Sequence, residues 1–520
     1  MVRDLEAPII KTHNITKTFG QVVANDKVSF DVCRGEILAL LGENGSGKTT
    51  LMNMLSGIYF PDSGDIEVNG AKVSIRSPLN AFKLGIGMVH QHFKLIDVLT
   101  AAENIVLGLP GKMFLDRKAN ANEIREISKL YGFQLDPDKK IYDMAVSEKQ
   151  TVEILKVLYR GAEILILDEP TAVLTPQETE RLFVTLRNMK ANGKAIVIIT
   201  HKLNEVLAVS DRVHILRRGK SVATVNTAET NKQELTGMMV GRVIDLKIDR
   251  PHVEEKSKRL EVQGLNCQNS EDVKVLKNVN FTLQSGEILG VAGVAGSGQK
   301  ELCESLVGLY PIASGSVFYH SEEGSATEVV GKTPKEIKQM GIKFAFVPED
   351  RLGMGLVASM DMSDNVLLRY YDRGGRWPFV DRKHSRSLAE SLIEQLQIVT
   401  PGVSTPVRRL SGGNVQKVLL GREIASAPSI LIVAYPVRGL DINSSYNIYN
   451  LINEQKKQGV AVLFVGEDLD VLLELSDRIL VLCGGQVSGI VDAKQTTKEE
   501  VGLLMTHVSD KPHAEKVNSQ

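Results

Sequence analysis

The chain has 520 residues, and at roughly 150 residues per domain this excludes a single small fold and predicts more than one core. Lys and Arg number 62 against 63 Asp and Glu, a formal charge of -1, so no basic excess is offered to nucleic acid or anionic lipid and any anion site must be local. Charged residues at 24% and hydrophobic residues at 43% exclude disordered, collagen-like and fibrous classes.

The start, MVRDLEAPIIKTHNIT, has no apolar core of signal-peptide length, and no stretch approaches about 18 uninterrupted apolar residues. A soluble or peripheral chain on the cytoplasmic side is expected. Cys33, Cys267, Cys303 and Cys483 are far apart without CxxC spacing, which argues for reduced, buried thiols over a disulfide framework or a zinc knuckle.

In chain order, Phe19 in KTFG is a ring able to stack on a purine, although an isolated Phe is more often core. GEILALLG reads as a buried parallel strand, and it runs into Gly42-Glu-Asn-Gly-Ser-Gly-Lys-Thr49, which fits GxxxxGK[ST] between a strand and a helix. Such glycines let backbone N–H groups converge on phosphate at a helix N-terminus. Lys48 adds a cation over the β- and γ-phosphates, and the Thr49 hydroxyl is a Mg²⁺ ligand. Gly42, Asn44, Gly45, Ser46, Gly47, Lys48, Thr49 and Thr50 are therefore the candidate nucleotide-binding residues.

Gln91 in MVHQHF can touch both Mg²⁺ and water, though by itself it carries no signal. AEILILDEP puts Asp168 and Glu169 at the C-terminal end of an apolar strand, where doubly wound sheets bind ligands. Asp168 is expected to hold magnesium-bound water and Glu169 to polarise the attacking water; without a phosphate loop nearby, such a pair is as often a helix cap. Thr175-Pro176 opens a helix that ends at Gly193, and GKAIVIITH is a third buried strand that delivers His201, a candidate reporter of the γ-phosphate. The candidate metal set is Thr49, Gln91 and Asp168, and the candidate catalytic set is Glu169, His201 and Gln91.

The chain then repeats itself. VSFDVCRGEILALLGENGSGKTTL realigns with VNFTLQSGEILGVAGVAGSGQKEL, placing Gly42 on Gly293, and DRVHILRRGKSVATV realigns with DRILVLCGGQVSGIV, placing Asp211 on Asp477. The expected organisation is a first domain over 1–242, a polar linker over 243–258 with the boundary near residue 255, a second domain over 259–510 and a loose tail over 511–520.

The order of phosphate loop, Gln91, Asp168-Glu169 and His201 resembles the ATP-binding cassette family. The resemblance implies two tandem α/β P-loop cassettes, each with a mainly parallel sheet core, an antiparallel β subdomain and a helical subdomain. It also implies that each ATP lies between one cassette's phosphate loop and the other's LSGGQ-type signature. Leu410-Ser411-Gly412-Gly413-Asn414 is a nearly unaltered signature, which assigns Ser411, Gly412, Gly413 and Asn414 to the first cassette's ATP. The first half's counterpart reads Met144-Ala145-Val146-Ser147-Glu148, with the serine hydroxyl lost at Ala145 and a glycine replaced by Ser147.

Its partner loop, Gly293-Val-Ala-Gly-Ser-Gly-Gln299-Lys300, has glutamine for the lysine and lysine for the metal-ligating hydroxyl. Ala434 and Tyr435 replace the acidic pair, Glu467 replaces His201, and Glu349 replaces Gln91. Both surfaces of one site are altered together, so one catalytic and one degenerate site are expected, with Gly293, Gly296 and Gly298 keeping an amide cradle.

Tandem cassettes without a membrane span, together with VPEDR and VRGLD, resemble bacterial sugar and nucleoside importer ATPases, and TAVLTPQE and the stretch from Gln150 look most like the nucleoside branch. That resemblance implies ATP and Mg²⁺, integral-membrane permease subunits, an extracytoplasmic solute-binding lipoprotein, no nucleic acid, and a peripheral place at the inner face of the membrane. It makes His92 to Leu107 the permease-coupling surface. Departures are Ala145 and Ser147, Tyr435-Pro436-Val437 where QPT is usual, and Thr175 in place of an aspartate. The rival is a soluble ribosome-associated cassette ATPase, disfavoured by the short linker, the net charge and the single intact site.

Overall fold

The computed structural model describes residues 8–91, 93–109, 117–241, 247–254, 256–371 and 380–506. The chain divides into two units, Met1–Leu246 and Lys247–Gln520. The expected tail 511–520 lies outside the described residues.

In the first unit, the apolar runs Ile37–Leu41, Ile164–Asp168 and Ala195–Ile199 are strands that bury every residue except the terminal Asp168, as parallel strands covered on both faces must. Strand order across the sheet is Lys220–Asn226, Arg212–Arg217, Ile37–Leu41, Ala195–Ile199, Ile164–Asp168, Ile86–Val89. All neighbours are parallel except the first pair. Period-two alternation sorts the side chains into two cores. Leu38, Leu40, Ile164, Ile166 and Val197 pack with Leu51 and Met54 of the helix Lys48–Leu55 and with Ile10, Ile15 and Val68 of an antiparallel sheet. Ile37, Leu165, Leu167 and Ile198 pack with Val152 and Leu155 of the helix Val146–Tyr159 and with Phe183 and Leu186 of the helix Pro176–Ala191. The predicted helix after Thr175 carries its capping box: the Thr175 hydroxyl accepts from the Glu178 N–H, and the Glu178 carboxylate accepts from the Thr175 N–H at 2.9 Å.

The antiparallel sheet is ordered Val22–Val28, Pro8–Phe19, Ser63–Val68, Ala71–Val73. Helices Ala101–Val106, Arg117–Tyr131 and Val146–Tyr159 form the helical part.

The second unit repeats this plan. Its six-stranded sheet runs Phe344–Val347, Ile430–Ala434, Ala461–Val465, Ile288–Gly293, Arg478–Cys483, Gln486–Asp492, and its antiparallel sheet runs Lys274–Gln284, Lys258–Gln268, Ile312–His320, Ala326–Glu328. Met362–Tyr370, Arg382–Gln395 and Gly412–Ile424 are the helical counterparts. The α/β tandem-cassette expectation is borne out.

The stretch read as a linker behaves differently where it is described. Ile248 is buried in the second unit's core, the Asn453 side-chain amide donates to the Asp249 carbonyl at 2.8 Å, and Arg250 donates to the Ser476 carbonyl. Lys247 onward groups with the second unit, which begins there and not near residue 255 within a 243–258 linker, because one apolar side chain and two polar anchors hold it there.

One buried titratable group sets a pH limit on the first unit. His214, 1% exposed, has both ring nitrogens bonded to hydroxyls, Nδ1 to Thr224 at 2.8 Å and Nε2 to Ser221 at 3.1 Å. Burial pushes its pKa down to about 4. Unfolded chains therefore take up a proton near pH 6.5 that the native state refuses until about pH 4, so this group's contribution is complete above 6.5 and is lost as pH falls through that window. Denaturant titrations at pH 7 and pH 4 are expected to show about 3 kcal/mol more acid loss for the wild type than for His214→Gln.

Candidate functional site

The Ile37–Leu41 strand stops at a loop whose backbone only glycine can make. Gly47 has φ +96°, and a Cβ there would lie 2.3 Å from the Ala24 carbonyl and 2.6 Å from the Asn25 amide nitrogen. Gly47 is also the N-cap of the helix Lys48–Leu55, with no side-chain cap, so the helix's first N–H groups face the loop. Lys48, 9% exposed, turns its ammonium onto the loop's own carbonyls, Gly42 at 2.7 Å and Glu43 at 3.0 Å. Burial lowers its pKa, while Glu169 and Asp168 pull in the opposite direction. Thr49 stands exposed on the first helical turn beside it, Thr50 is half-buried, and the buried Ser46 hydroxyl has no protein partner.

Three strand ends converge next to this loop. Glu169 follows Ile164–Asp168, Gln91 follows Ile86–Val89, and His201 follows Ala195–Ile199, all at the C-terminal edge of one sheet. The Glu169 carboxylate accepts from the Gln91 amide at 2.9 Å and lies 2.9 Å from His201 Nδ1. Glu169 holds a left-handed φ of 46°, a conformation rare and costly for a residue with a Cβ, which carries its side chain off the strand toward both partners. The hydrogen bond from His201 holds its carboxyl below the usual range. Asp168 goes the other way: burial, then the neighbouring Glu169 charge, push its carboxyl up to about 6.

Thr49, Gln91 and Asp168 offer hydroxyl, amide and carboxylate oxygens, a donor set suited to a hard cation such as Mg²⁺. Phe19 lies further out, 44% exposed at a hairpin, with Tyr59 edge-on at 5.2 Å. Ala145 caps the helix Val146–Tyr159 without a hydroxyl; only Glu148 reaches back, accepting from the Ala145 N–H at 2.8 Å, and Ser147 lies in the first turn.

The second unit keeps the backbone and changes the chemistry. Gly296 and Gly298 have φ of +85° and +99°, close to Gly45 at +79° and Gly47 at +96°. Gln299, 3% exposed, donates to the Val294 carbonyl at 3.1 Å, an inward side chain without a charge. Lys300, expected to set a cation at the metal ligand's position, turns outward: it is 66% exposed and lies 3.9 Å from Glu304 one helical turn on. Tyr435 has φ 48°, matching Glu169, with a phenol for the carboxylate, and Ala434 ends the strand with a methyl group. The Ala434 methyl and an ion-paired Glu349 offer no oxygen set for Mg²⁺. Arg438, which supplies the ion pair to Glu349, went unassigned from sequence; its only signal was its place in VRGLD.

Ser411 caps the helix Gly412–Ile424 in position but not by hydrogen bond: its hydroxyl accepts from the Asn414 amide at 2.9 Å. Asn414 in turn accepts from the Val399 N–H at 3.0 Å.

The ABC transporter family model matches residues 25–172 and again 276–436, one copy over each phosphate loop and its acidic or altered strand end. The chain belongs to the ABC transporter family. It is a tandem-cassette ATP-binding protein and an ATPase of that family. It is 42% identical to the nucleoside import ATP-binding protein NupA of Lactococcus lactis subsp. cremoris (strain MG1363), over 96% of this chain and 98% of the relative. The guanosine import ATP-binding protein NupO of Bacillus subtilis (strain 168) is 41% identical over 97% of this chain and 98% of the relative. The ribose import ATP-binding protein RbsA 1 of Rubrobacter xylanophilus is 39% identical over 97% and 99%. Among the described residues, no helix is long and apolar enough to cross a membrane.

Gly47→Ala in this ATPase is expected to weaken nucleotide binding at least about tenfold, because the added methyl must displace backbone at Ala24. Titration with a fluorescent ATP analogue, read as the loss of one of two binding phases relative to wild type, checks it.

Proposed function

We propose that this chain is the energy-coupling subunit of an importer for nucleosides, with one hydrolytic ATP site and one degenerate site. The observation that carries it is the contrast between strand ends: Glu169 flanked by Gln91 and His201 beside Lys48, against Tyr435 and Ala434 beside Gln299. The first set fits phosphoryl transfer to water and the second does not.

The residues divide the work as follows. The amides from Gly42 to Thr50 and the Lys48 ammonium receive the phosphates, and Lys48 exchanges its two loop carbonyls for phosphate oxygens. Thr49, Gln91 and Asp168 would hold Mg²⁺, which when bound neutralises charge across the β- and γ-phosphates. Glu169, ionised through its His201 bond, orients and polarises the attacking water, and His201 reports the γ-phosphate. Phe19 stacks on the purine. Ser411 to Asn414 are the signature that meets nucleotide, through the Ser411 hydroxyl and the first N–H groups of its helix, neither tied up in a side-chain cap. At the other site Gly293, Gly296 and Gly298 keep a cradle that binds nucleotide without turnover.

Integral-membrane permease chains and an extracytoplasmic solute-binding lipoprotein are the partners, and the chain sits peripherally at the inner face of the membrane. The segment to Leu107 is the coupling surface; of its residues, His92 lies outside the described set, while Ile96, Val98 and Leu107 are exposed apolar side chains. Nucleosides are favoured by TAVLTPQE, by the stretch from Gln150, and by the likeness to NupA and NupO. Simple sugars are the second reading, favoured by the likeness to RbsA 1.

Glu169→Gln is expected to lower ATP turnover by about 10²- to 10⁴-fold while ATP binding persists, whereas Tyr435→Phe stays within about twofold of wild type in a phosphate-release assay. Wild-type turnover in Glu169→Gln would remove the assignment. Gentle detergent purification from native membranes should bring down permease chains and a lipoprotein, and uptake of labelled nucleoside against labelled ribose in the reconstituted complex decides the solute. Ribosomal proteins in place of permeases would establish the soluble rival instead.

A further inference from the structure

We infer that Arg438 is a positioning residue that braces the Ser411–Asn414 turn. The inference rests on the reading of that turn as part of the hydrolytic site. In the first cassette an acid stands in the middle: Glu169, between Gln91 and His201. In the second cassette the polarity is reversed. Arg438 stands between Glu349, after the strand Phe344–Val347, and Glu467, after the strand Ala461–Val465, pairing with the first through Nη1 and with the second through Nε at 3.1 Å. The matching position in the first cassette is Ala172, since the Ala172 N–H donates to the Glu169 carbonyl and the Arg438 N–H to the Tyr435 carbonyl, both at 3.2 Å. The second cassette has thus gained a cation where the first has a methyl group, together with two acids to receive it.

The clamp continues into the signature turn. The Arg438 carbonyl accepts from the Arg351 guanidinium. Arg351 Nη1 lies 3.4 Å from where a Cβ on Gly412 would stand, and Leu440 Cδ2 lies 3.7 Å from the same point. A Cβ on Gly413 would lie 2.8 Å from Ser444 Oγ, and Ser444 is fixed by Asp441 at 2.7 and 2.8 Å. The loop 438–441 therefore backs both signature glycines, while its first residue is locked to two strand ends.

Stability does not explain the arrangement. Side chains of Arg438, Glu349 and Glu467 are 56%, 39% and 46% exposed, and pairs so wet contribute little to folding. What a forked guanidinium does hold well is geometry, because its donors are rigidly arranged. The strand ends that in the first cassette carry Gln91 and His201 carry in the second the two acids that fix the loop behind the Ser411–Asn414 turn.

The test uses the full-length chain, with steady-state ATP hydrolysis and thermal unfolding measured together. Arg438→Ala is expected to lower kcat roughly tenfold through displacement of the turn, with nucleotide-analogue affinity within about twofold and a midpoint shift of no more than about 3 °C. Arg438→Lys keeps one pairing but not the fork and should recover part of the rate. Glu349→Gln with Glu467→Gln should reproduce the loss, and adding Arg438→Ala to that pair should cost nothing further. Wild-type kcat in Arg438→Ala, or losses that simply multiply, overturns the brace. A rate loss that follows a larger fall in midpoint assigns Arg438 to folding, and if Arg438→Ala fails to fold, the glutamine pair decides in its place. A wild-type chain without ATPase activity sinks the function reading beneath it, a result separable from all of these.

Discussion

A partly exposed aspartate at the head of one strand holds the start of the strand that feeds the phosphate loop, and the placement of that loop in each cassette depends on it. Asp211 accepts from the Ile37 N–H at 2.9 Å and pairs with Lys190, while next to it Arg212 pairs with Glu36, which is 3% exposed. Asp477 does the same for Ile288 at 2.9 Å, with the fully buried Lys456 at 2.7 Å and Arg478 on Glu287 at 2.6 Å. Removing Arg212 or Arg478 would leave the buried Glu36 or Glu287 without its ion pair, and removing Asp477 would do the same to the buried Lys456. The consequence is positional. With the strand's start fixed, its C-terminal end delivers the loop to one place on the sheet edge, in both cassettes.

That shared scaffold explains how two sites of the same shape carry different chemistry. Glu169 and Tyr435 occupy the same left-handed backbone position, and each N–H bonds the neighbouring strand at 2.9 Å, Glu169 to Ile199 and Tyr435 to Val465. The cost of that conformation is met in the second cassette with no carboxylate to present, which shows that the turn serves the fold as well as the reaction. On one backbone, an anion held by an amide and an imidazole has become a cation held by two carboxylates. The adjacent acids of the first cassette are likewise separated by environment alone: Asp168 is pushed toward its neutral form by burial, and Glu169 is held ionised by His201.

Much of this was legible in the chain because it is local. Gly42 to Thr49, Asp168-Glu169 and the Thr175 cap are contiguous patterns whose geometry follows from a strand, a turn and a helix. Gln91 carries no pattern of its own and His201 only its place at a strand end; the structure brings them to one carboxylate from 78 and 32 residues away. Arg438 was passed over because its place in VRGLD says nothing of what it meets: its acidic partners lie 89 residues before it, at Glu349, and on a separate strand end, at Glu467. Lys300 keeps the motif position that Thr49 holds in the first cassette, and both are exposed; what the sequence could not give was its neighbour Glu304, 3.9 Å away.

The sequence by itself determined that there are two cassettes, that each has a glycine-rich loop at the end of a buried strand, and that Asp168-Glu169 in one stand where Ala434-Tyr435 stand in the other. These follow from residue identity, from the period of apolar runs and from the internal repeat. Only the tertiary structure decided which side chains meet. Strand order in a parallel sheet sets neighbours that chain distance does not, and that order placed Gln91 and His201 on Glu169, Arg438 between two acids, and Ile248 in the second core.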